Sequence, residues 1–320
     1  MSNKSHFNKG HISINVQRKK RQRHSSFWGI PRYDVKKTAH VIIINDAIEV
    51  LRQIPDSSIQ LIVIDPPYNL DLEEWDSYEN YIEWASVWLD EISRILTDSG
   101  NCIIFGGFQY QDQKRGDLLE ILHYVRHSTP LRLVNLIVWY YKNGMSAHRF
   151  FANRHEEIVW LAKTKKYYFD LDAVRIPYDD HTKNIYKKDK RLNPATVDKG
   201  KNPTNVWEIN RLNGNSKERV GHPTQKPAEL IRRLVRALSY PGAVVLDFFA
   251  GSGTTGRVCI EEGRNSILVD IDPMLMEYFN RHLLQVDKQK VKDYSVLHDI
   301  GVEEAIQILT NLNPLQHEDM

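Results

Sequence analysis

The apolar run Leu61-Ile62-Val63-Ile64 ends abruptly at Asp65-Pro66-Pro67-Tyr68. The run reads as a buried strand. A pair of prolines neither continues a sheet ladder nor opens a helix interior, so the chain has to leave the sheet at Asp65. Open α/β sheets bind ligands in the crevice outside the carboxyl ends of their strands. A carboxylate and an aromatic face delivered to such an edge suit a flat substrate with hydrogen-bonding edges. Taken alone, the same residues also fit a strand closed by a turn with an incidental Asp cap.

A second strand exit narrows the choice. Ala243 to Leu246 is strand-like and runs into Asp247-Phe248-Phe249-Ala250-Gly251-Ser252-Gly253-Thr254-Thr255-Gly256, after which the sequence turns helical. Glycines between strand and helix permit a tight turn and a close approach of backbone to a ligand. Ser266 to Val269 makes a further strand ending in Asp270-Ile271-Asp272, and Pro273 suits the first position of a helix capped by Asp272. Strand, glycine loop, helix, strand and acid is an arrangement that holds a ribose by its hydroxyls. It points to an adenosine-bearing cofactor and leaves NAD and S-adenosylmethionine both open.

The rest of the chain alternates in the α/β manner. Val41 to Ile44 is strand-like, followed by Asn45-Asp46 and a helical run from Ala47. Tyr81, Trp84, Ala85, Trp88, Ile92, Ile95 and Leu96 recur at three and four, one face of a helix whose ordinary role is core packing. Asp98-Ser99-Gly100 should close it. Strands are expected at 102–105, 133–140 and 158–162, and a helix at 118–125. From Lys163 to Gly221 the apolar periodicity fades. Lysines and arginines there interleave with Tyr167, Tyr168, Phe169, Tyr178, Tyr186 and Trp207. This reads as an irregular insertion with a basic, aromatic surface of the kind that meets nucleic acid. A merely polar, loosely packed subdomain is the plainer alternative. Net charge is only +2, so a polyanion surface has to come from such local clustering. Residues 1–37 offer another cluster, with Arg18, Lys19, Lys20, Arg21 and Arg23 and no acid before Asp34. Cys102 and Cys259 lie in apolar surroundings and read as free thiols of a reducing cytoplasm. No apolar run approaches the roughly 18 residues of a membrane span, and the basic N-terminus lacks the apolar stretch of a secretory signal.

Asp65-Pro66-Pro67-Tyr68 followed by Asn69 resembles the catalytic motif of the DNA amino-methyltransferases. Asp247 to Gly253 looks like their cofactor loop, and His222-Pro223-Thr224-Gln225-Lys226-Pro227 like the segment that precedes it. Asn143 to Ser146 and Arg149 to Glu157 extend the likeness over most of the chain. The order, catalytic motif first and cofactor loop last, is that of the β class, and the pattern is most similar to its RsrI type of type II modification enzyme. The resemblance implies an α/β fold with a doubly wound, mostly parallel sheet, a short antiparallel element and permuted motif order. It implies a basic arm at 1–37, a catalytic half at 38–163, a DNA target-recognition insertion at 164–221 and a cofactor-binding half at 222–320.

The implied activity is methyl transfer from S-adenosylmethionine to adenine N6 in a short, palindromic duplex site, with no metal. The N6 lone pair is delocalised, so an acceptor beside the amine favours charge developing on nitrogen. Asp65 supplies that acceptor. The Pro66 carbonyl supplies another, with Pro67 fixing the turn, and the Tyr68 ring stacks on the extruded base with no need of its hydroxyl. His222, Pro223 and Lys226 are expected around the cofactor's carboxylate, Asp270 at its ribose and Asp46 near its adenine. Asp247, Phe249, Ala250, Gly251, Ser252, Gly253 and Thr254 are expected to form its cradle. Asp at the first motif position is the form associated with adenine N6, and Ser with cytosine N4. Cytosine N4 is the nearest alternative, followed by an NAD-dependent oxidoreductase and a catalytically dead DNA-binding relative. The expected setting is a bacterial cytoplasm, with double-stranded DNA as partner. A homodimer is left open, and a cognate restriction endonuclease is expected to act on the same site without a stable complex.

Overall fold

The computed structural model describes residues 34–69, 78–108, 117–144, 148–149 and 151–313. The basic arm lies outside them except for 34–37, and so do Met145, Ser146 and Phe150 of the motifs above.

Among the described residues, nine strands form one sheet. In chain order they are β1 (Lys37–Ile44), β2 (Ile59–Ile64), β3 (Leu96–Gly106), β4 (Arg132–Tyr140), β5 (His155–Ala162), β6 (Val206–Glu208), β7 (Val244–Asp247), β8 (Asn265–Asp270) and β9 (Asp293–Leu297). Their order across the sheet is β6-β4-β5-β3-β2-β7-β8-β1-β9. Every neighbouring pair is parallel except the two made by β5, which runs against β3 and β4. This is the doubly wound, mostly parallel sheet with an antiparallel element that the resemblance implied.

Burial on both faces explains the apolar runs of the two central strands. Along β2, Ile62 and Ile64 pack into one core with Leu51, Trp88 and Leu309. Leu61 and Val63 turn the other way, toward Leu230, Leu234 and Val258. That alternation is the two-residue period of a strand, and helices cover both faces. The first face carries α1 (Ala47–Gln53), α2 (Tyr81–Ile95), α3 (Leu118–Ser128) and the last helix at Val302–Asn311. In α2 the buried residues are Tyr81, Ala85, Trp88, Leu89, Ile92 and Ile95, the stripe expected from the spacing.

The sheet changes winding direction between β2 and β7. From β2 the chain proceeds to β3 on one side, and from β7 to β8 on the other. Such a switch point opens a crevice at the carboxyl ends. Leu61 pairs with Val245 and Ile62 with Leu246, so Asp65 and Asp247 leave the sheet side by side. Ile44 pairs with Asp270, which brings Asp46 to the same edge.

Two details depart from the expected pattern. Asp98-Ser99-Gly100 lies within β3 and does not terminate α2 in a turn. The amide of Gln60 on β2 donates to the Ser99 carbonyl at 3.0 Å and accepts from the Ser99 hydroxyl at 3.0 Å, tying the polar stretch to the sheet. The stretch 164–221 is also more regular than expected. It contains α4 (Asp180–Lys188), α5 (Pro194–Lys199) and β6, which extends the sheet beside β4. Asp179 and Asn193 cap the two helices through their side chains, and Pro194 opens α5.

Candidate active site

A cavity of about 650 Å³ opens at the switch point. Asp65 and Pro67 line it from the end of β2, and Asp247, Phe249, Ala250, Gly251, Ser252 and Thr254 from the loop after β7. Asp46, Asp270, His222, Pro223 and Lys226 complete the set of expected residues on its wall. Pro66, Tyr68 and Gly253 do not line it. Pro66 and Tyr68 border a separate recess of about 70 Å³ with Tyr81, Phe105 and Phe108.

The glycine loop owes its shape to backbone signs and to two acids. Gly251 and Gly253 have φ of 49° and 77°, in the left-handed region where a side chain is strained. A Cβ on Gly251 would lie 3.1 Å from the His222 ring, and one on Gly253 would lie 2.9 Å from Phe279. Gly253 is thus a structural residue of the turn, behind the cavity wall. Asp270 Oδ2 accepts from the Gly251 amide at 2.7 Å, and Oδ1 from the Asp272 amide at 3.0 Å. Asp247 accepts from the Phe249 amide at 3.2 Å and from the Thr255 hydroxyl at 2.6 Å. Burial raises the Asp247 carboxyl to about 7 despite these donors. Asp46 caps α1, accepting from the amides of Ile48 and Glu49. His222 stands edge-on to Tyr278, its ring centroid 5.6 Å away. Burial lowers its pKa against the pull of Asp270 and Asp65.

At the Asp65–Tyr68 motif, the Tyr68 hydroxyl donates to Asp65 Oδ1 at 2.6 Å. The ring is therefore tied to the acid through the hydroxyl that the sequence reading leaves idle. Burial, then Asp65 and Glu156, push the Tyr68 pKa well above its ordinary value. The resemblance places Lys226 at a ligand carboxylate. Within the protein its Nζ lies 2.8 Å from Asp65 Oδ2 and 3.3 Å from Glu156 Oε2. Burial opposes its charge, but the two carboxylates outweigh burial and raise its pKa, so it stays protonated.

Some wall residues escape the sequence reading. Tyr78 and Trp84 stack at 4.1 Å with 27° between their planes, and both line the cavity. Trp84 also lies 5.7 Å from Phe249. Thr255 and Asp272 belong to the wall as well. Asp272 carries a visible signal, as the second acid after β8. Trp84 carries none, because its place in the helical stripe is the same for a core residue and for a cavity wall. The result is a pocket with aromatic faces, several carboxylates and a buried ammonium, able to hold a polar ligand with flat rings against Asp65.

The DNA methylase family model matches residues 59–281. The type II methyltransferase M.HpaI of Haemophilus parainfluenzae is 33% identical over 248 residues, covering 76% of this chain and 73% of the relative. The DNA adenine methyltransferase YhdJ of Escherichia coli is 32% identical over 260 residues, covering 78% and 83%. Among solved structures, the cytosine-N4-specific PvuII DNA methyltransferase matches with a TM-score of 0.60 at 19% identity, over 87% of this chain and 94% of that one. TTHA0409 of Thermus thermophilus, solved with S-adenosyl-L-methionine, matches with a TM-score of 0.55 at 24% identity, over 82% and 99%. At these identities the two structures speak for the fold. The family match and the relatives' coverage speak for the enzyme class: the chain belongs to the DNA methylase family and is a DNA methyltransferase.

Proposed function

We propose that the chain transfers a methyl group from S-adenosylmethionine to adenine N6 in a short, palindromic duplex site, in the manner of the RsrI-type enzymes its motifs resemble. It would serve as the modification half of a type II restriction–modification pair in the bacterial cytoplasm. Its partner endonuclease would cut the same site when unmethylated, without a stable complex. The observation that carries the reading is that Asp65 lines the same cavity as the glycine loop.

The donor set suits the cofactor. Asp46, Asp270 and Asp272 offer acceptors for ribose hydroxyls and an adenine amine. His222 stands beside Gly251, and Pro223 lines the same cavity, at the end that would take the carboxylate. Phe249, Ala250, Ser252 and Thr254 supply the rest of the cradle. When bound, S-adenosylmethionine supplies an electrophilic methyl group on a sulfonium. Asp65 then accepts a hydrogen bond from the target amine and favours positive charge developing on nitrogen, and the Pro66 carbonyl assists it. Lys226, 2.8 Å from Oδ2, holds the orientation of Asp65. The Tyr68 ring offers a stacking face to a base that has left the duplex. Asp, and not Ser, at position 65 supports adenine over cytosine.

The test is transfer of tritiated methyl from the cofactor to genomic DNA, followed by nucleoside analysis and sequencing of the methylated sites. Label in N6-methyladenine at one repeated short sequence is expected. Label in N4-methylcytosine would overturn the base assignment. Absence of transfer, with NAD bound in the cavity, would overturn the reaction class.

A further inference from the structure

The ammonium of Lys226 has three hydrogens to place. Its Nζ lies 2.8 Å from Asp65 Oδ2, 3.4 Å from the Tyr68 hydroxyl and 3.3 Å from Glu156 Oε2. The rings of Tyr68, Phe105 and Trp139 stand 5.5, 5.4 and 5.9 Å from the same nitrogen, within cation–π range. With the Tyr68 hydroxyl on Oδ1, both oxygens of Asp65 are engaged.

Glu156 sits at the start of β5, where side chains alternate between faces. His155 and Glu157 share one face and pair at 3.0 Å. Glu156 points to the other, toward Lys226. Its Oε2 is sealed from solvent and meets no donor in good hydrogen-bond geometry, and it faces the Lys226 ammonium at 3.3 Å. A half-buried carboxylate with one oxygen sealed from water is costly to retain for packing alone. The cluster sets two carboxyl groups, of Asp65 and Glu156, against the one ammonium of Lys226. A closed Asp65–Lys226 pair would satisfy the acceptor completely and leave the target amine to compete with a full ion pair.

We propose that Glu156 is a positioning residue for the transfer. It keeps Lys226 shared between two carboxylates, so that Asp65 can exchange part of that contact for the target amine. The inference rests on the reading of Asp65 as the acceptor.

Glu156→Gln keeps the shape and removes the charge. Glu156→Asp keeps the charge at shorter reach. Single-turnover methyl transfer should fall at least about tenfold in the Gln variant, toward the roughly 10²-fold that a small misplacement can cost. Cofactor and DNA dissociation constants should stay within about twofold, because the lost interaction belongs to the chemical step. The Asp variant should recover part of the rate. In a Lys226→Met background, adding Glu156→Gln should change the rate by less than about twofold, because nothing is left for Glu156 to hold. A Gln variant within about twofold of the parent, beside an inactive Asp65→Asn control, would overturn this inference and leave the acceptor reading standing. So would a loss that Asp does not rescue and that adds fully to Lys226→Met. An active Asp65→Asn would overturn the acceptor reading itself.

Discussion

Asp247→Asn probes the electrostatics of the glycine loop through stability, independently of activity. Asp247 is 6% exposed, with one oxygen on the Phe249 amide and the other on the Thr255 hydroxyl. Burial raises its carboxyl from an ordinary 3.8 to about 7, and Asp270 and Asp65 add to the rise. Between these two values the folded chain keeps a proton that the unfolded chain has released. Stability contributed by this group is therefore greatest below 3.8 and declines as pH rises toward 7. At about 1.4 kcal/mol per tenfold in proton affinity, the whole interval makes roughly 4 kcal/mol, of which about 3 falls between pH 5 and 8. Asn carries no such proton. It keeps the shape and the Phe249 bond, and its amide can donate to the Thr255 hydroxyl, for a loss of about 1 kcal/mol or less. The stability of the variant relative to the parent should thus grow by about 3 kcal/mol from pH 5 to pH 8. His40 and His282, which burial depresses to about 3, contribute in the opposite sense, present above 6.5 and lost on acidification. The parent's own profile mixes these effects, and subtracting it from the variant's removes the histidines. Urea unfolding followed by tryptophan fluorescence, at constant ionic strength across this range, measures the difference. Parallel profiles for the two proteins would refute the reasoning, since they would mean that Asp247 is ionised in the fold at no cost.

Four further outcomes are expected. Asp65→Ala should slow methyl transfer by about 10²–10³ with cofactor binding still measurable, read by labelled transfer and equilibrium dialysis. Gly253→Leu should weaken cofactor binding in the same dialysis, because left-handed backbone costs a side chain about 1–2 kcal/mol and the new Cβ meets Phe279 at 2.9 Å. Tyr68→Phe should lose some rate by releasing Asp65 Oδ1, and Tyr68→Ala should lose a further roughly 1–3 kcal/mol of base stacking, seen as a smaller fluorescence rise from 2-aminopurine at the target. Exchanging residues 164–221 for those of a relative with a different site should change the sequence methylated in cells; an unchanged site would move recognition elsewhere.

The two strand exits were legible because their residues restrict backbone in ways no context overrides. Paired prolines end a ladder, and glycines at φ of 49° and 77° mark a turn that a substituted backbone resists. The location of β1 was not legible. It precedes β2 in sequence but lies between β8 and β9, through parallel pairings to residues more than two hundred positions away. No local spacing encodes such partners. Likewise Asp98-Ser99-Gly100 has the composition of a turn, and only the Gln60 amide across the sheet makes it strand.

The site was legible in its membership more than in its wiring. Residue type made Asp65 and Lys226 candidates for one site, and the fold brings both to one cavity, but a lysine does not announce which anion it will meet. Lys226 meets Asp65 and Glu156, and both are brought to it by strands formed far from it in the chain. Glu156 and Glu157 make the point most sharply. As adjacent acids they are chemically interchangeable in the sequence. The pleat of β5 sends Glu157 to His155 and Glu156 to Lys226. Since side chains alternate with every residue, a shift of one position in the pairing of β5 with β3 and β4 would exchange their roles. The register that selects Glu156 is set by the apolar residues further along the strand, Ile158 and Trp160 on one core and Val159 and Leu161 on the other. The carboxyl group placed beside Lys226 and Asp65 is therefore chosen by hydrophobic packing several residues away.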